Sequence, residues 1–438
     1  AAAAPAPRRA RRGRGRPPPP KGIVASMLLF NFGILFVFKY LMFAVRNINH
    51  LTGTNLTIPS IVLPIGISFF TFQAVSYVLD VYRGDVKAQR NPVKVALYIA
   101  LFPQLVAGPI VRYTDIVEQI DSREETFDLF SEGVVRFICG FAKKMLLANP
   151  LAIVADTAFS PQSDGMSVLF AWLGALAYTF QIYYDFSGYS DMAIGLGKMF
   201  GFNFRENFNH PYIAGSVSDF WRRWHVSLSS WFRDYVYFPL GGSRVKSKAR
   251  LVFNLFVVWA LTGVWHGANW TFIAWGIFYF VLLTFEKLTG LGDDEKKRGS
   301  AIMATGNINE TGRVERPGFP MPFLARGLRH SYVILAVVCG WVIFRASDLA
   351  QASHYLSTMF GLGDVPWISP LAITYFKETV YYWIFALLFS MPVMRWASKF
   401  PIMRPVLFLR PMALVIILVI GICYMVKSVH NPFIYFNF

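Results

Sequence analysis

LVFNLFVVWALTGVWHGANWTFIAWGIFYFVLLTFEK, residues 251–287, is a pair of apolar runs that meet at a histidine. Leu251 to Trp265 is fifteen residues, ~22 Å of helix at ~1.5 Å per residue, against roughly 30 Å of hydrocarbon. The return from Ala268 to Phe285 ends at Glu286 and Lys287 and faces the same shortfall. The pattern predicts an apolar hairpin too short to cross a bilayer twice, with His266 at its tip. An ionisable side chain at that depth must be held by protein, and it is a functional-site candidate by default. Just upstream, FWRRWHVSLSSWFRDYVYFPLGG (220–242) sets a second histidine, His225, among aromatic and basic residues.

Composition places the chain among polytopic membrane proteins. Of 438 residues, 55% are hydrophobic and 15% charged, and the mean hydropathy is +0.43; soluble domains run nearer a quarter charged. The net charge of +17 suggests a basic surface at first sight, but seven basic residues fall in the first 21 positions. Most of the others flank apolar runs, where positive charge fixes topology, so no nucleic-acid partner is expected. Residues 1–21, AAAAPAPRRARRGRGRPPPPK, have no apolar face. They read as a disordered or artefactual Ala/Pro/Arg arm and not as a signal peptide. Cys139, Cys339 and Cys423 sit in apolar segments and read as buried thiols, with neither a disulfide framework nor a zinc spacing.

Apolar runs of helical length fall at about 23–45, 58–80, 93–111, 134–158, 167–186, 188–202, 219–238, 251–266, 268–285, 331–346, 377–395 and 411–427. Several fall short of the ~20 residues of a span. Others carry breakers or charges: Pro103 and Pro109, then Lys143, Lys144 and Pro150, then Gly195 and Gly197. Non-helical backbone at membrane depth survives only inside protein or against a water-filled cavity. The expected fold is therefore one all-α integral membrane domain over 22–438, with roughly nine to eleven crossings plus re-entrant pieces. Basic clusters at Arg83–Lys94, Arg244–Arg250 and Lys296–Arg329 place their loops in the cytosol, including the polar connector 286–330. On that topology the His266 hairpin enters from the cytosol and returns to it.

Imidazole suits proton transfer near neutral pH, and burial favours the neutral form a general base needs. Gly267 and Ala268 leave room for a substrate beside His266. The competing reading is a core histidine bonded to a carbonyl, with Trp265 and Trp270 as packing. Around His225, Trp221, Trp224, Leu228 and Trp231 recur at helical spacing, which predicts an amphipathic helix at the cytoplasmic face. Its Arg222, Arg223 and Arg233 suit the phosphates of an acyl carrier such as coenzyme A, or equally anionic lipid head groups. His225 would orient the donor or share proton transfer. Asp185 and Asp191 lie close to apolar sequence and need partners: an arginine of the 220–234 segment, a histidine to polarise, or a structural ion pair. Asn269, like Asn254 and Tyr184, is a conceivable tunnel-lining group. The other histidines are dispersed and no metal site is expected; GxSxG, HExxH and GxxxxGK[ST] are all missing.

LPIGISFFTFQAVSYVLDVYRG (63–84), LFPQLVAGPIVRY (101–113), YYDFSGYSDMAIGLGKMFGF (183–202), the 220–242 stretch, TGVWHGANW (262–270) and NPFIYFNF (431–438) occur in that order. Together they resemble the membrane-bound O-acyltransferase family, and within it the bacterial branch that includes the alginate O-acetyltransferase membrane subunit. The resemblance covers nearly everything after residue 23 and departs at the Pro/Arg arm. It implies a ring of transmembrane and re-entrant helices around a thinned centre, with His266 catalytic and His225 a second polar site residue. It further implies acetyl-CoA as donor substrate with no tightly bound cofactor, and an exported polysaccharide as acceptor. An extracytoplasmic acetyl-transferring partner of SGNH type, contact with membrane lipids and a place in the bacterial inner membrane complete the expectation. A teichoic acid D-alanyl transferase and a peptidoglycan O-acetyltransferase compete within the family. From another class, a secondary transporter or flippase fits broken helices with buried Asp and His, though no internal repeat supports it.

Overall fold

The computed structural model describes residues 20–106, 108–160, 165–291, 323–393, 396, 408–427 and 433. Nearly all of the Ala/Pro/Arg arm, most of the 286–330 connector and all of NPFIYFNF but Phe433 lie outside the described residues. Regular structure among those residues is helical throughout. Lipid offers no hydrogen bonds, so each apolar segment must satisfy its backbone internally, which a helix does. Six helices are long and apolar enough to cross a membrane, and the chain is a multi-pass membrane protein. Two compact units divide it: residues 1–139 with 189–206, and residues 140–188 with 207–438.

The first unit holds α1 (Lys21–Thr52), α2 (Ile67–Arg83), α3 (Pro92–Ala100) and α4 (Tyr113–Ser122), with the start of α5 (Phe127–Ala158) and the end of α6 (Val168–Met199). Its core gathers Tyr98, Val111, Tyr113, Ile116, Ile194, Phe202 and Phe204. The two runs at 167–186 and 188–202 are one helix of 32 residues. Gly195 and Gly197 do not break it, because they serve close packing. A Cβ on Gly195 would lie 2.6 Å from the Gly133 carbonyl oxygen of α5, and one on Gly197 2.5 Å from the Phe204 ring. Small residues that let helix backbones touch are the usual membrane device. Cys139 and Cys423 are exposed on helix surfaces, against the expectation of burial; an apolar run in lipid has no polar face to turn outward.

The second unit contains α7 (Val217–Arg223), α8 (Val226–Phe232) with a π-turn over Arg233–Tyr237, α9 (Lys248–His266) and α10 (Trp270–Thr289). It continues with α11 (Phe323–Arg345), α12 (Leu349–Met359), α13 (Pro370–Ser390) and α14 (Arg410–Lys427). Pro150 does not end α5, because a π-helical stretch at Lys143–Ala148 precedes it and absorbs the carbonyl its ring would strike.

The α9–α10 hairpin is longer than its apolar core. Ser247 caps α9 by accepting the Arg250 N–H at 3.2 Å, so Lys248 and Arg250 already belong to the first turn. Glu286 and Lys287 lie inside α10 at the other end. The arms have 19 and 20 residues, about 28 and 30 Å, which is long enough to span. They pack with almost no gap: a Cβ on Gly263 would meet the Phe272 carbonyl oxygen at 2.5 Å, and one on Gly276 the Trp259 carbonyl oxygen at 2.5 Å. The 219–238 segment departs most from expectation. It is no single amphipathic helix but two short ones broken at Trp224–His225.

Candidate active site

His225 sits in the break between α7 and α8, with φ 44° and ψ 54°. Among the described residues only His210 shares a positive φ with a non-glycine side chain. Left-handed backbone costs such a residue about 1–3 kcal/mol and persists only where surroundings over-determine it. Here the surroundings are Asn207. Its carbonyl accepts the Val226 N–H at 2.9 Å, and its Oδ1 accepts the Ser227 N–H at 3.1 Å and hydroxyl at 2.9 Å. The Nδ1 of His225 lies 3.2 Å from the same oxygen. A further link, Asn209 N–H to the Arg223 carbonyl at 2.9 Å, lays the 207–209 strand of chain along the break. Phe186 meets the His225 ring edge-on at 4.7 Å between centroids, and the Phe433 ring lies tilted against Phe186 at 6.0 Å. His225 lies outside the six long apolar helices. Its burial pushes the imidazole pKa from the usual 6.5 down to about 3, so it is neutral at physiological pH.

His266 is the last residue of α9 and is 6% exposed. Three aromatic rings box it: Trp265 at 5.0 Å, Trp275 at 4.9 Å and Phe344 at 5.1 Å, all near right angles. Gly267 does not open room for a substrate here. The space a Cβ would take is filled by the Phe272 ring, 2.2 Å away, so this glycine is demanded by packing. Trp265 is shared: its ring centroid lies 5.0 Å from that of His266 and 6.2 Å from that of His225. The structure thus brings the two sequence-selected histidines to one indole.

The charged candidates fare differently. Arg222 and Arg223 both bind Asp219, at 3.1 and 2.7 Å, while Arg233 binds Asp234 at 2.8 Å. All three guanidinium groups lie in the His225 segment and stay partly exposed. Asp185 pairs with Lys144 across α5 and α6, within the second unit. Asp191 belongs to the first unit, where Arg136 holds it at 2.8 Å and also holds Glu206. The structural ion pair is thus what these contacts display for both aspartates. Asn269 caps α10 by accepting the Thr271 N–H at 3.2 Å and donates to the Ser347 carbonyl at 2.8 Å. Asn254 donates to the Gly242 carbonyl at 3.1 Å, and Tyr184 donates to the Ala386 carbonyl. These three are fastenings of the scaffold.

Two residues beside the site carry little signal in the sequence. Asn207 lies in a plain Asn-rich turn whose only signal is an NFNHP string. Glu286 marks a helix end by sequence, yet it is 1% exposed and accepts the Val217 and Ser218 N–H groups at 2.5 and 2.8 Å. A carboxylate there satisfies the first donors of α7 and suits its dipole. In chemical terms the site offers two buried imidazoles near one indole and a set of partly exposed guanidinium groups.

The family model described as MBOAT, membrane-bound O-acyltransferase family, matches residues 89–291, a span that includes both histidines. The chain is 45% identical over 335 residues to the probable alginate O-acetylase AlgI of Pseudomonas putida, covering 76% of this chain and 63% of that protein. It is 34% identical over 373 residues to the peptidoglycan O-acetyltransferase of Helicobacter pylori, covering 78% and 64% respectively. With the teichoic acid D-alanyltransferase of Bacillus subtilis it shares 33% over 239 residues, 51% of this chain and 60% of that one. The chain therefore spans less than two thirds of the length of these relatives.

Proposed function

The chain belongs to the membrane-bound O-acyltransferase family, and from that premise we propose that it transfers an acetyl group from cytosolic acetyl-CoA towards a hydroxyl acceptor for O-acetylation of an exported polysaccharide. The observation that carries the reading is the pair of buried histidines on one indole, inside the span the family shares. His266 acts as general base. It takes the acceptor's hydroxyl proton as the oxygen bonds to the thioester carbonyl carbon; the C–S bond breaks, and the leaving thiolate receives that proton. Positioned proton transfer of this kind supplies about 10²–10⁴ in rate. Direct transfer needs fewer assumptions than an acyl-histidine.

His225 is the second site residue, orienting the donor or sharing the proton. Arg222, Arg223 and Arg233 bind the donor's phosphates, since all three stay partly exposed and a guanidinium matches phosphate geometry. Asp185 and Asn269 hold the surrounding helices, and Asp191 braces the other unit. An extracytoplasmic SGNH-type protein completes the relay to the polymer, and the location is the bacterial inner membrane. The higher identity to an alginate O-acetylase than to the D-alanyl and peptidoglycan relatives supports acetyl and polysaccharide over their alternatives.

The test is thiol release from acetyl-CoA by the full chain in nanodiscs, with acceptor and partner supplied, wild type beside His266→Ala. Release that disappears in a folded His266→Ala variant supports acyl transfer centred there. Equal release from both removes His266 from the chemistry. Release only from a D-alanyl carrier-protein thioester moves the reading to the D-alanyl class.

A further inference from the structure

Asn207 has no role in the acyl transfer proposed above, yet three polar groups from the His225 segment converge on its side-chain oxygen. Two of these are seen to donate, the Ser227 N–H at 3.1 Å and the Ser227 hydroxyl at 2.9 Å, and the third is the His225 ring, whose Nδ1 lies 3.2 Å from that oxygen and 3.4 Å from the Ser227 hydroxyl oxygen that is already donating to Asn207. A backbone N–H can only donate. The atom of the Asn207 amide that faces Ser227 N–H is therefore its oxygen, and the orientation of the amide follows. A carboxamide oxygen has no proton to give, so the ring nitrogen it faces must carry one. In a neutral imidazole the basic lone pair then falls on Nε2. The left-handed backbone at His225 contributes to this arrangement, because it turns the ring back towards the chain that precedes α7. Asn207 is 1% exposed and is anchored through its own carbonyl to Val226 N–H at 2.9 Å, so the reference oxygen is itself fixed.

We propose that Asn207 is the positioning residue that sets the tautomer of His225, with Nδ1 protonated and Nε2 basic, and so decides which ring nitrogen this site can use to accept a proton. The consequence for acyl transfer rests on the functional reading above; the tautomer rests on geometry alone. Asn207 itself touches no reacting atom.

The experiment is nitrogen-15 NMR of the full chain in nanodiscs with ring-labelled histidine. The protein has seven histidines, and His225→Gln identifies the signal of interest. The wild type is expected to show a neutral ring with protonated Nδ1 and bare Nε2. Asn207→Asp keeps an acceptor oxygen at the same place and should keep the Nδ1 proton. Asn207→Leu removes the acceptor and should shift the proton towards Nε2. Thiol release from acetyl-CoA should then fall in kcat by roughly 10- to 100-fold with KM held, as when metal-binding histidines lose their outer partner. A wild-type spectrum with the proton on Nε2 overturns the proposal, and so does an Asn207→Leu protein that keeps it on Nδ1. If Asn207→Leu does not fold, the wild-type and Asn207→Asp spectra still decide. Wild-type release from His225→Gln would overturn the role of His225 in the reaction, while the spectrum would judge the tautomer separately.

Discussion

The two histidines are almost equally buried and are held by opposite means. His225 hangs in a polar cradle, on left-handed backbone, with its ring turned to an amide oxygen. His266 ends a regular helix and is boxed by the edges and faces of three aromatic rings. The first neighbourhood specifies a proton, at the expense of backbone strain. The second specifies a place, through packing that tolerates little change of volume. Two buried imidazoles can thus be held by different physics while sharing one indole between them.

The widest separation between the two should appear in the rates. We expect His266→Ala to lower thiol release by about 10²–10⁴-fold in a protein that still folds, as loss of a general base does. His225→Gln should cost less, roughly 10- to 100-fold by analogy with outer-partner losses. Equal losses in the same assay would collapse the distinction between base and companion.

Acid should separate them next. His225 has its pKa pushed below the ordinary value, to about 3. The unfolded chain binds that proton more readily than the folded one. Its contribution to stability is therefore complete above about pH 6.5 and is lost progressively as pH falls towards 3, with a slope no steeper than ~1.4 kcal/mol per pH unit. Thermal unfolding from pH 7 down to about pH 4 should show a shallower decline for His225→Gln than for wild type. Parallel declines would mean that another group carries the acid response.

The packing around His266 can be tested in the same melts. Gly267→Ala places a methyl where the Phe272 ring now lies, and overpacking of this kind costs about 1–3 kcal/mol. Phe272→Leu in that background should recover part of it. The smallest effect is expected at the periphery of the His225 segment. Arg233→Gln removes a half-exposed ion pair with Asp234, worth less than ~1 kcal/mol in stability, but it should raise KM for acetyl-CoA. A change in stability without a change in KM would make Arg233 a fold residue.

The helical membrane fold is legible in composition and run length, but of the three rings that box His266 only Trp265 stands in the string VWHGANW, while Trp275 and Phe344 are brought in by the fold. One ion-pair pattern is legible from spacing alone. Asp219 stands three and four residues before Arg222 and Arg223, the helical spacing at which such charges pair. The break at His225 was not readable, because Trp221, Trp224, Leu228 and Trp231 keep a helical period straight through it. What bends the chain there is Asn207, distant in sequence and chemically ordinary. Gly195 and Gly197 misled in the other direction. A glycine looks like an interruption until the neighbouring helix that needs its missing side chain is known, and that neighbour is a tertiary fact. The hairpin outruns its apolar stretch for a third reason: Lys248, Arg250 and Glu286 are charged, yet they are helical.

Glu286 gives α10 a second office. The helix starts four residues beyond His266, and near its other end this carboxylate grips the first turn of α7, whose far end delivers His225. One rod is thus the common datum from which both imidazoles are surveyed. A tilt of that rod displaces the two together, and a change in its length alters their separation. The distance between Trp270 and Glu286 is therefore a length on which the placement of both imidazoles depends.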